Sequence, residues 1–169
     1  TMVTLASTVT YQENSSVLEA LLLESKLIKE HTPVYNAKEK DDKSFTCVVI
    51  TREKFPRVLT MRIRDYEKKF TKKDVAYVYG PFASLPQLRI AMKIIRKMFP
   101  YRDTCELGSA KPCFNAQIKL CPLVCVGQIT EEDYAKNITN IRRLFEGKKT
   151  EIKSSLEKDM KEYAKRQLF

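Results

Sequence analysis

Between Cys105 and Cys125 the chain places four of its five cysteines within 21 residues, spaced C-x7-C-x7-C-x3-C. Four thiols so close together restrict what this stretch can become. The opening residues, TMVTLASTVTYQENSS, show neither the basic n-region nor the cleavage pattern of a secretory signal. An odd number of cysteines also fits poorly with a disulfide framework. The expectation is therefore a reducing, cytoplasmic setting in which the thiols stay free and hold a metal. Structural zinc sites usually present two close pairs such as C-x2-C, because a tight knuckle aims two sulfurs at one tetrahedral ion. Here only Cys121 and Cys125 are close. A cubane iron–sulfur cluster tolerates the wider gaps, since its ligands wrap a larger object. Spacing leans towards iron–sulfur and leaves zinc open. The competing reading is four inert buried thiols, and four in one loop-rich segment argue against it. Cys47, inside the strand-like run TCVVIT, reads as a core residue.

With 169 residues, 43% of them apolar, the chain can build one ordinary domain or two small ones. No apolar run approaches the roughly 20 residues a membrane span requires, so no membrane partner is expected. The formal charge of +10 points to an anionic partner. Nucleic acid is the foremost candidate, because lysine and arginine release counterions from phosphates. The plainer alternative is that the charge serves only solubility.

The pattern along the chain predicts mixed α+β structure. TVTYQE, residues 8–13, alternates like a short strand. Ser16 with Glu19 forms a capping box, and a helix runs on to His31, stopped by Pro33. His31 reads as a helix-end cap rather than a catalyst. TPVYN is extended, and AKEKDDK is a loop. SFTCVVIT and RVLTMRI read as strands joined by a turn at REKFP. A polar loop from Arg64 to Asp74 follows, carrying Lys68, Lys69, Lys72 and Lys73 as candidate DNA contacts. VAYVYGPF is the third strand. Ser84 caps a helix from Leu85 to Phe99 with Leu88, Ala91, Met92, Ile95, Met98 and Phe99 at helical spacing. After the cysteine segment, Thr130 and Asp133 mark another helix start, and Gly147 its end. The tail from Thr150 carries the narrow stripe Ile152, Leu156, Met160 and Tyr163, which suits pairing with one other helix.

In the first helix, Val17, Ala20, Leu21, Leu27 and Ile28 share one face, and Glu24 falls in the middle of it. A carboxylate in an apolar stripe needs a cation, a metal or a polar cleft; a structural ion pair or a snorkelling side chain is the plain alternative. No P-loop, G-x-S-x-G or H-E-x-x-H pattern occurs.

Taken in order, four segments resemble one family. LEALLLESKLIKEHTPVYN resembles the closing helix and exit of the GIY-YIG nuclease domain of the UvrC family, a component of the bacterial nucleotide excision repair excinuclease. KDDKSF and YVYGPFAS resemble the segments that follow there. KPCFNAQIKLCPLVCVGQIT resembles its cysteine-rich block, and FEGKKTEIKSSLEKDMKEYAKRQLF the first half of its UVR helical hairpin. The resemblance covers essentially the whole chain. It implies that Glu24 binds the divalent Mg²⁺ or Mn²⁺ of a nuclease site, with Asn36 near it. It implies that Cys105, Cys113, Cys121 and Cys125 hold an iron–sulfur cluster of the 4Fe-4S kind. It implies damaged double-stranded DNA as substrate, and UvrB as a partner of Ile152, Leu156 and Met160, which should lie exposed or weakly packed.

The departures are specific. The GIY and YIG strands with their tyrosines, the arginine-bearing helix, the second UVR helix, the RNase H-like nuclease and the helix-hairpin-helix repeats have no counterpart in these residues. CPLVC replaces a more usual ending in APC, and Lys119 stands where a glycine is common. The chain is thus expected to be an internal portion of such a protein, inactive by itself. Its expected divisions are the end of a GIY-YIG domain (1–36), a β-rich connector (37–82), a helical cysteine-rich domain (83–148) and the start of the UVR hairpin (149–169). The rival reading is a free-standing DNA- or partner-binding module without catalysis.

Overall fold

The computed structural model describes residues 2–33 and 45–165. Its elements are α1 (Met2–Leu5), α2 (Val17–His31), β1 (Thr46–Thr51), β2 (Val58–Arg62), α3 (Ile63–Lys69), β3 (Val75–Phe82), α4 (Leu85–Met98), α5 (Phe114–Gln117), α6 (Glu131–Phe145) and α7 (Lys149–Lys165). A short 3-10 turn spans Val124–Val126. The α+β expectation holds. The chain forms two compact units, Thr1–Ile94 and Ile95–Phe169, and α4 contributes residues to both.

The first unit is built on a three-stranded antiparallel sheet in the order β2-β1-β3. TCVVIT is apolar on both faces, and every residue of β1 is buried. That composition belongs to a central strand covered on both sides. Val48 faces Thr60 on β2, and Val49 faces Val78 on β3. The β1–β2 turn is locked by Thr51: its hydroxyl donates to Glu53 (2.8 Å) and accepts the Arg57 N–H (2.8 Å). Cys47 lies in the core as expected, and burial pushes its thiol up to about 11.

The polar stretch expected to be a loop is partly helical. Met61, Ile63, Tyr66 and Phe70 pack over Cys47, Val49 and Val75, so α3 forms as a lid on one sheet face. Its spacing of apolar residues is helical, but charged residues between them disguise it. Residues 8–13 are not a strand: residues 6–14 have no regular structure, and Val9 and Tyr11 are 90% and 88% exposed. Alternation alone does not make a strand without an edge to pair with.

Helix α2 begins as anticipated, with Ser16 accepting the Glu19 N–H (3.3 Å). It packs against β3. The face it buries differs from the one expected. Leu21 and Ser25 are buried and Leu18, Leu22 and Ile28 half-buried, whereas Val17, Ala20, Glu24 and Leu27 are exposed. Leucines run almost around this helix, so two stripes compete, and the sheet takes the other one. Asn36 lies outside the described residues, as do Val34, Tyr35 and most of KDDKSF.

In the second unit α6 is set by its cap and its period. Thr130 accepts the Asp133 N–H (3.1 Å), and Tyr134, Ile138, Ile141 and Phe145 are buried. Gly147, with φ +73°, turns the chain, and α7 packs against α6. The tail stripe is therefore only partly open. Ile152 is 5% exposed, against the expectation of exposure or weak packing, Leu156 is half-buried, and Met160 is 70% exposed. Met98 departs from its stripe as well: it is exposed at the end of α4, while the next residue, Phe99, is buried.

Candidate metal centre

The loop between α4 and α6 brings the four cysteines together. Their sulfur atoms all lie within 4.8 Å of one another. Cys121 and Cys125 are buried, and Cys105 and Cys113 are half-buried. Each is set by a different local device. Cys105 follows the buried Arg102, whose backbone N–H donates to the Tyr134 hydroxyl (3.0 Å) and whose Nε donates to the Cys105 carbonyl (2.8 Å). Cys113 precedes α5, and its carbonyl accepts the Ala116 N–H (2.9 Å). Cys121 follows Leu120, and both N–H groups reach the Asn115 carbonyl (3.0 and 2.7 Å). Cys125 sits in the 3-10 turn after Leu123, which has φ +60°. Its carbonyl accepts the Ser109 N–H (2.9 Å), and its sulfur accepts the Cys113 N–H (3.4 Å).

Burial and mutual repulsion oppose ionisation of Cys105 and Cys121 beside Cys113. Burial, then the Cys105 and Cys113 charges, push Cys121 up to about 12. Burial, then Cys113, raise Cys105. At Cys113 burial is outweighed by the Ala116 N–H and the neighbouring thiols, and its pKa falls. A bound metal ion reverses this balance, because coordination displaces thiol protons and the ion neutralises the mutual repulsion.

The donor set fits a thiophilic metal: among the described residues it is four sulfurs, with no oxygen or nitrogen ligand. Tetrahedral zinc, with Zn–S of about 2.3 Å, holds its sulfurs roughly 3.8 Å apart. A cubane cluster spreads its four thiolates wider. The cage is thus closed to nearly single-ion size.

The other residues singled out in the sequence are elsewhere. Glu24 is on the exposed side of α2. Lys68 and Lys69 are on the last turn of α3, and Lys72 and Lys73 lie in the turn before β3; all four are exposed. Ile152, Leu156 and Met160 line an open apolar groove with Leu144. Arg96, Asp103, Asn115 and Arg102 surround the cage together with Tyr134, and no motif singled out the first four. For Arg102, Asp103 and Asn115 the sole signal was their position near the cysteines.

A family model described as UvrC/Cho excinuclease, middle domain, matches residues 45–144. The chain belongs to the UvrC/Cho excinuclease family. The match takes in the sheet, α4 and all four cysteines. UvrABC system protein C of Methanothermobacter thermautotrophicus is 39% identical over 151 residues, covering 89% of this chain and 24% of that protein. Its counterpart in Caldicellulosiruptor saccharolyticus is 36% identical over 165 residues, covering 94% and 26%. That of Methanosphaera stadtmanae is 40% identical over 152 residues, covering 89% and 24%. The chain spans about a quarter of the length of these UvrC-family relatives. No solved structure matches it. Among the described residues, no helix is long and apolar enough to cross a membrane.

Proposed function

We propose that this chain serves as the metal-bearing middle segment of a UvrC-type excinuclease, acting in nucleotide excision repair on damaged double-stranded DNA. The observation that carries the reading is the four-thiol cage lying inside the region matched to the family. Cys105, Cys113, Cys121 and Cys125 hold an iron–sulfur cluster of the 4Fe-4S kind, as the resemblance of the cysteine block implies. The cluster supplies cross-linking of the loop through metal–thiolate bonds. The exposed Lys68, Lys69, Lys72 and Lys73 contribute phosphate contacts. Ile152, Leu156 and Met160 belong to the surface that meets UvrB once the second helix of the hairpin is supplied.

Glu24 acts in a complete nuclease site. There its carboxylate would hold Mg²⁺ or Mn²⁺, and the ion would supply stabilisation of charge on the phosphate. Asn36 is a second residue of that site. The tyrosine and arginine groups of the GIY-YIG half are absent from these residues, so the chain alone does not cut DNA.

A single zinc ion is the second reading, and the closeness of the four sulfurs, within 4.8 Å, favours it. Metal analysis of anaerobically purified protein separates the two. Brown protein with about four irons and matching sulfide per chain is the expected result for a cubane on four cysteines. Cys113→Ser should then lose colour. A colourless, well-folded preparation with one stoichiometric zinc would replace the cluster with zinc.

A further inference from the structure

Arg96 stands in the last turn of α4, with a side chain only 14% exposed. Its guanidinium reaches three points of the cysteine loop. Nη1 donates to Asp103 Oδ2 (2.6 Å), Nε to the Leu120 carbonyl (2.9 Å) and Nη2 to the Tyr101 carbonyl (3.1 Å). The same group lies over the Tyr101 ring, 4.6 Å from its centre. Asp103 is shared in turn. Its carboxylate accepts the Asn115 side-chain amide at 3.3 Å on each oxygen, and the Thr104 N–H at 2.7 Å. The backbone carbonyl of Asn115 then takes the N–H groups of Leu120 and Cys121.

These bonds converge on the ligands. Asp103 lies two residues before Cys105, Asn115 two after Cys113, and Leu120 immediately before Cys121. We infer that Arg96 is a positioning residue for the metal centre: the Arg96–Asp103–Asn115 hub sets three of the four cysteines at ligand spacing before any metal binds. The inference rests on the reading that the four cysteines hold a metal group. The physical reason for arginine is its planar fork, which serves a carboxylate and two carbonyls in fixed directions. Lysine carries the same charge on a single rotating point and cannot span them. Partners outside the first coordination sphere of metal sites typically change affinity by about 10–100-fold.

The test uses Co²⁺ as probe on the whole chain, reduced and stripped of metal under anaerobic conditions. Tetrahedral cobalt–thiolate absorption reports both how tightly and in what geometry the four thiols close on a single ion. Wild-type protein should bind one Co²⁺ with a tetrathiolate spectrum. Arg96→Lys and Asp103→Asn should weaken binding by about 10–100-fold and distort the spectrum at saturation. Asn115→Ala, which leaves the Arg96–Asp103 pair intact, should weaken it less and supplies the answer if the charged variants do not fold. Circular dichroism and Tm of the metal-free proteins run alongside. If the saturated spectra match wild type, and affinity falls no further than the loss of metal-free stability accounts for, Arg96 is structural only and the inference is overturned. Absence of any tetrathiolate band in wild-type protein would overturn the inference, because the thiols would then not stand at ligand spacing without metal; the iron and sulfide content of anaerobically purified protein decides the metal reading separately.

Discussion

Lys119 adopts φ +61°, in the left-handed region, just before Leu120 and Cys121. A side chain with a Cβ pays roughly 1–2 kcal/mol there, and glycine does not. Lys119→Gly should therefore stabilise the second unit, by less than about 1 kcal/mol once the greater freedom of glycine in the unfolded chain is counted. The measurement is Tm of the loaded protein, expected to rise; a fall would show that the lysine side chain contributes more than its backbone costs. Gly80 makes the opposite case. Its φ is +130°, and a Cβ built on it would meet the Thr46 carbonyl oxygen at 3.0 Å and the Cys47 Cα at 3.3 Å. Both are backbone atoms of the central strand and cannot swing aside. Gly80→Ala should destabilise by about 1–3 kcal/mol, read by urea unfolding; an unchanged midpoint would mean that β3 shifts freely against β1.

At the scale of elements, the first turn of α6 links sequence to pH. Asp133 accepts from the Thr130 hydroxyl (2.9 Å) and from Lys136 (2.8 Å), and the Lys136 ammonium first, then Thr130, lower its carboxyl pKa. A depressed folded-state pKa means stability that is present above the unfolded value of about 3.9 and lost as pH falls through the folded one. Asp133→Asn should thus lower Tm at about pH 6, and the gap to wild type should close as pH falls through the lowered folded-state value. A gap that stays constant would remove the carboxylate charge from the explanation. Such caps and periods are why α2, α4, α6 and the three strands were legible: Ser16, Thr130 and the buried run TCVVIT each leave a local signature. The failures had physical causes too. Helix α3 was hidden because Ile63, Tyr66 and Phe70 are only half-buried and separated by charge. The stripe through Glu24 misled because α2 offers a second apolar face. The cage ligands could be read from spacing, but the hub could not. Arg96, Asp103 and Asn115 are brought together by the loop's path, and each residue type is ordinary in isolation.

Across the molecule, the two units differ in what orders them. The first rests on a sheet whose central strand is wholly buried. In the second, the segment from Tyr101 to Gly127 leaves Leu107, Phe114 and Ile118 exposed, and its buried residues are Tyr101, Arg102, Ala116, Cys121, Val124 and Cys125. Burial of roughly 1.5–3 kcal/mol per large apolar side chain falls short of ordering at about 1–2 kcal/mol per residue. Polar bonds and, on the proposed reading, metal–thiolate bonds make up the difference, so metal removal should loosen this segment in a graded way. The Leu120 and Cys121 N–H groups are held by the Asn115 carbonyl, which is not one of the candidate metal ligands. The Cys113 N–H instead depends on the Cys125 sulfur, and the Ser109 N–H on the Cys125 carbonyl. After anaerobic chelation, amide hydrogen exchange should therefore accelerate most at Cys113 and Ser109, and less at Leu120 and Cys121. Amides of β1, bonded to β2 and β3, should keep their protection because no cysteine of the cage supports them. Exchange followed residue by residue by NMR decides it. Uniform acceleration from Tyr101 to Gly127 would show that the metal alone orders the loop, and no acceleration at all would show that the polar network suffices without it.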